Sequence, residues 1–84
     1  MLERGTVVRS SAGRDKGSLL AVMQQDENRV FVCDGKERPI DRPKSKNIRH
    51  VQATGFSVTE SELETNRALR KALRRLDAEI NGNT

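Results

Sequence analysis

Two glycines four residues apart, Gly13 and Gly17, stand between two short runs that read as β-strands. Into them leads Thr6-Val7-Val8-Arg9-Ser10, whose first three residues are β-branched and suit a pleated surface. Out of them leads Leu19–Gln25, whose length and following polar turn favour a strand over a helix. Glycine accepts positive φ and lets another backbone come close. Ser11–Ser18 can therefore reverse the chain sharply while a ligand approaches its main chain. Arg9, Arg14 and Lys16 stand before and between the glycines, so a ligand at this loop is expected to be anionic.

The chain continues in the same idiom. Asp26-Glu27-Asn28-Arg29 reads as a polar turn, and Val30-Phe31-Val32-Cys33 as a third strand. Asp34-Gly35 is a strong turn signal. From Lys36 to Arg49 there are six basic residues against Glu37 and Asp41, and Pro39 and Pro43 break up regular pairing. An edge strand around Arg38–Asp41 and a last strand over Asn47–Gln52 are expected. Four or five short strands joined by basic loops describe a small half-open β-barrel.

The composition changes after Thr54-Gly55. Thr59 and Glu62 have the spacing of a capping box, and predict a helix running from there to about Ile80, closed by Asn81-Gly82. It would be roughly 30 Å long, with Glu60, Glu62 and Glu64 near its N-terminus. Leu69, Ala72, Leu73, Leu76 and Ile80 form one apolar stripe, and Arg67, Arg70, Lys71 and Arg74 lie opposite. Leu63 falls off the stripe. The stripe suits docking on the barrel, or binding of a partner or a second copy through Leu69, Leu73, Leu76 and Ile80. The fold class expected is mostly β with one C-terminal helix: a barrel over residues 1–55, then an amphipathic helix and tail over 56–84.

Charge and composition bound the function. The net charge is +4, and residues 1–50 hold eleven basic and seven acidic side chains while the remainder is balanced. A cationic field on the N-terminal part is expected of a polyanion binder. Phe31 and Phe56 are the only aromatics, which argues against a polyproline groove or a base-stacking platform. Cys33 is the single cysteine, so no internal disulfide can form. The opening Met-Leu-Glu-Arg-Gly carries no apolar run of signal-peptide length, and no stretch approaches the roughly 20 apolar residues of a membrane span. A soluble, cytoplasmic protein without membrane contact is expected.

No catalytic constellation is visible. His50 is the only histidine, and Cys33 sits among apolar neighbours where a thiol is inert. Metal-ligand spacing is absent, so neither a metal nor a cofactor is expected. Gly13-Arg14-Asp15-Lys16-Gly17 lacks the Gly-Lys-Ser/Thr ending of a nucleotide-binding loop, and a strand follows it.

The same stretch resembles the KOW motif: Val8, Gly13, Lys16-Gly17, then an apolar strand. The likeness continues through Asp26-Glu27-Asn28, Val30-Phe31-Val32, Asp34-Gly35, Pro43-Lys44 and Asn47-Ile48-Arg49-His50. Over roughly Gly5 to Val51 the chain is similar to bacterial KOW-domain RNA-binding proteins and, through them, to KOW-class large-subunit ribosomal proteins of archaea and eukaryotes. The resemblance implies a small SH3-like (KOW) barrel and binding to structured RNA, in particular rRNA or the ribosome. By position, Gly13 and Gly17 shape the loop and Arg14 and Lys16 contact phosphate. Lys44, Lys46, Arg49 and His50 match the basic end of the barrel, and Arg9 joins the same cationic cluster. Ser45 and Asn47 dilute the basic run, and the helix lies outside the matched part. KOW barrels also bind proteins, so a module that engages a transcription or translation factor is the alternative.

Overall fold

The computed structural model describes residues 1–82; the last two residues of the expected tail lie outside the described residues. Five antiparallel strands form one sheet: β1 (Thr6–Ser10), β2 (Leu19–Asp26), β3 (Arg29–Cys33), β4 (Lys44–Asn47) and β5 (Val51–Ser57). Their spatial order is β4-β3-β2-β1-β5. A one-turn 3₁₀ helix, Ile48–His50, joins the two edge strands, and one α-helix, α1 (Asn66–Asn81), follows. The protein is thus mostly β with one C-terminal helix, as expected, and its sheet is open and barrel-like.

The apolar runs explain this layering. A sheet with one wet face alternates apolar and polar residues, whereas a sheet buried on both faces reads as continuous apolar runs. Val7-Val8, Leu19-Leu20-Ala21-Val22 and Val32-Cys33 are continuous. Val8, Leu20, Val22, Val30, Val32 and Val51 pack together on one face of the sheet. Their neighbours Val7, Leu19, Ala21 and Cys33 point the other way, onto Leu69, Ala72, Leu73 and Leu76 of α1. The stripe of α1 is therefore the lid on the sheet's second face. Leu69 is 0 % exposed, Leu73 and Leu76 are buried, and Ile80 is half-buried against the same cluster. This corrects the reading of the stripe as a surface for a partner or a second copy. Leu63, off the stripe, joins this core from a short 3₁₀ turn, Ser61–Leu63.

Three boundaries differ from expectation. Arg38–Asp41 is not a strand; the edge strand is Lys44–Asn47, paired with β3 from Arg29↔Asn47 to Val32↔Lys44. The expected strand Asn47–Gln52 is broken, because the Asn47 side chain accepts a hydrogen bond from Arg49 N at 2.8 Å and caps the 3₁₀ turn. Thr54-Gly55 is not the end of the barrel but an irregularity inside β5, so the division at residue 55 falls within a strand. There the register against β1 shifts, the Thr54 hydroxyl donates to Val7 O at 2.8 Å, and the strand runs on to Ser57.

The capping box forms but caps something smaller. Thr59 N donates to Glu62 Oε1 at 2.9 Å and Glu62 N to Thr59 Oγ1 at 3.1 Å, and together they hold only the 3₁₀ turn. Thr65 is extended (φ −136°, ψ 154°), interrupts the chain, and becomes the N-cap of α1 through Ala68 N→Thr65 Oγ1 at 3.0 Å. The helix has 16 residues, about 24 Å, and no acidic residue in its first turn. Thr65→Ala is expected to cost about 1 kcal/mol in urea unfolding. A loss at Thr59→Ala with none at Thr65→Ala would contradict this assignment of the helix start.

Candidate nucleic-acid interface

Backbone hydrogen bonds close the glycine loop on itself. Gly17 N donates to Ser10 O at 2.8 Å and Ser10 N to Ser18 O at 2.9 Å, which closes its base. Two successive turns fill it, Lys16 N→Gly13 O at 3.2 Å and Ser18 N→Asp15 O at 2.8 Å. Gly13 and Gly17 take φ values of +89° and +91°, the left-handed region that disfavours any side chain, so both shape the loop.

A buried ion pair fastens this loop to β4. Lys46 Nζ lies 2.9 Å from Asp15 Oδ1 and donates to Ala12 O at 3.2 Å. The Lys46 side chain is 6 % exposed and that of Asp15 15 %. Ser10 Oγ adds a third hydrogen bond, to Asp15 Oδ1, at 2.8 Å. Burial alone would raise the Asp15 carboxyl, but the hydrogen bonds from Lys46 and Ser10 and the Lys46 charge hold it below the usual carboxylate range. On the same flank, Ser11 N donates to His50 O at 2.8 Å, so the 3₁₀ turn sits beside the start of the loop.

The expected contact residues separate into two groups. Arg14, Lys16, Lys44, Arg49 and His50 are exposed, and among the described residues no hydrogen bond or ion pair engages their side chains. Their elements come together: Arg14 and Lys16 on the loop, Lys44 on the strand pinned to it, Arg49 and His50 on the adjoining turn. Lys46 does not belong with them as a ligand contact, because it is buried and spent on Asp15. Arg9 is also committed, donating to Gly17 O and pairing with Asp77 of α1 at 3.3 Å. Both cations position the loop.

Asp15 is the residue of this site that its local sequence does not announce. The signal is a lone acid in a basic loop, which needs a cation as neighbour if it is to be buried. Elsewhere, Glu60 and Glu62 pair with Arg4 and Arg75. The Glu62 carboxyl is held low first by the Thr59 backbone N–H and then by Arg75. Four ion pairs in all leave most cations of the described residues without an acidic partner.

Burial, with the Asp34 charge, pushes the Cys33 thiol up to about 11, so it stays protonated and inert at neutral pH. Among the described residues no group of three or more His, Cys, Asp or Glu is placed to hold a metal ion. Also among them, no helix is long and apolar enough to cross a membrane. No protein-family model matches the chain, and no curated protein is significantly similar to it.

Proposed function

We propose that this protein is a non-catalytic, cytoplasmic RNA-binding protein of the KOW kind, acting on structured RNA in the ribosome or its rRNA. One observation carries the reading: Arg14, Lys16, Lys44 and Arg49 are exposed and unpaired around a loop that a buried ion pair ties to β4. Unpaired cations meet phosphates without first breaking internal ion pairs. The scarcity of aromatics directs contacts to phosphate and sugar, with Arg planes available for stacking. The 2′-OH and the A-form groove then distinguish RNA from DNA.

Each phosphate neutralised releases counterions, so binding weakens with salt. With about 4–6 contacts, log K against log salt has a slope of about −3 to −5. Arg14→Ala/Lys16→Ala is expected to weaken binding of an rRNA hairpin at least about tenfold and to flatten this slope by about 1–2, with the melting temperature unchanged. Filter binding at several salt concentrations measures both. Equal affinity in wild type and variant would remove the loop from the interface. In cells, crosslinking followed by sequencing should enrich an rRNA segment; a co-purifying protein with no RNA would reverse the assignment.

A further inference from the structure

Resting on that RNA-binding reading, we infer that α1 is a second phosphate-binding surface: the row Arg67, Arg70, Lys71 and Arg74 takes the backbone of the same structured RNA beyond the glycine loop. The stripe that docks the helix leaves this row facing water. Leu69, Ala72, Leu73 and Leu76 are buried against the sheet, and the four cations fall in one sector on the far side, all exposed. Among the described residues none of the four is in an ion pair. Arg70 donates to Gly35 O at 3.2 Å through one nitrogen, and the other three side chains make no hydrogen bond.

Nothing about this row serves the helix. Arg67 and Arg70 are three residues apart, as are Lys71 and Arg74; Arg67 and Lys71 are four apart, as are Arg70 and Arg74. Residues so spaced are neighbours on a helix surface, and like charges there repel. α1 also has no acid in its first turn and no base in its last, where the macrodipole favours both. Its own acids, Asp77 and Glu79, stand toward the C-terminal end, and Glu64, just ahead of the helix, makes no ion pair with the row. A bound polyanion relieves this repulsion. Three of the four cations are arginines, whose planar forks meet phosphate oxygens in pairs.

The row begins where the glycine loop ends. Lys36, exposed, lines one cleft with Arg70, Arg74, Gly17 and Ser18. Asp34 and Asp77 line it too, but both are engaged. Asp34 Oδ1 accepts from the backbone N–H groups of Lys36 and Arg38 at 2.8 and 2.9 Å, and Asp77 pairs with Arg9 at 3.3 Å. Nucleic acid fits this surface better than protein or lipid. Protein interfaces are built around an apolar centre, and Met1 is the only exposed large hydrophobic among the described residues. A membrane-surface helix inserts its apolar face, and that of α1 is packed on the sheet.

The test is filter binding of an rRNA hairpin at several salt concentrations, with a thermal melt of each variant. Arg67→Gln/Arg74→Gln breaks all four like-charge pairs at once. It is expected to weaken binding at least about tenfold, to flatten the salt slope by about 1–2, and to raise the melting temperature. Arg67→Lys/Arg74→Lys keeps the charge and should keep the wild-type slope. Arg4→Gln/Arg75→Gln removes as much charge from ion-paired positions and should bind as the wild type does. Wild-type affinity in Arg67→Gln/Arg74→Gln, or equal weakening in Arg4→Gln/Arg75→Gln, overturns the assignment to α1, while loop binding still stands or falls on Arg14→Ala/Lys16→Ala. A lowered melting temperature in Arg67→Gln/Arg74→Gln would show that the row stabilises the helix, and would sink the proposal as well. No binding by the wild type removes the parent reading and this one with it. Tighter binding of polyglutamate than of the hairpin, lost in Arg67→Gln/Arg74→Gln, would give the row to an acidic protein instead.

Discussion

Lys46→Met is expected to destabilise the domain by about 3 kcal/mol at neutral pH, the lower end of the range for breaking a buried ion pair from one side. The substitution keeps the apolar stem of the side chain but strands Asp15, which is 15 % exposed and would retain only the Ser10 hydroxyl as a side-chain donor. A carboxylate in that position keeps its desolvation cost and loses its compensation. Against the roughly 5–15 kcal/mol of a whole domain, the loss is large and readily measured by urea unfolding. Asp15→Asn/Lys46→Met removes both charges and should recover most of it; a double variant as weak as Lys46→Met would show that packing of the lysine stem, not charge, is what matters.

Acid separates the two explanations further. In the wild type the Asp15 carboxyl lies below the usual carboxylate range, so it stabilises the fold at pH values above its unfolded pKa. That contribution is lost as pH falls through the depressed folded value, below about pH 4. In Lys46→Met the desolvated carboxyl is raised instead, and protonation relieves its penalty. The stability gap between wild type and Lys46→Met therefore narrows on acidification from neutrality toward about pH 3. A gap independent of pH would exclude Asp15 as its source.

The strands and the glycine loop were legible because each rests on local chemistry: β-branched runs, Asp-Gly, and glycines that the structure places at positive φ. The boundaries that moved depend on partners distant in sequence. The Thr54-Gly55 pair looks like an end, but the Thr54 hydroxyl bonds Val7 O, 47 residues away, and keeps β5 in the sheet. The capping box is locally sound and starts no long helix, since Leu63 is drawn into the core and Thr65 has to turn extended before α1 begins. Lys46 reads as one more surface cation because nothing in β4 itself announces Asp15, 31 residues upstream. One cue was present and carries more than it first suggests. Apolar runs without alternation call for cover on both faces of the sheet, and α1 carries the chain's one amphipathic stripe long enough to provide it.

Leu69→Ala tests that cover directly. Leu69 is fully buried between α1 and the sheet, in one cluster with Val7, Ala21 and Cys33. Truncation at such a site costs about 2–5 kcal/mol, the transfer free energy of the lost atoms plus the cavity they leave. Had the stripe been reserved for a partner, the isolated protein would scarcely register the change, since an exposed leucine contributes little to folding. A midpoint shift in urea with an unchanged m-value is expected, because the helix and sheet share one core and unfold together. A second, earlier transition for α1 alone would mean that the sheet persists without its lid.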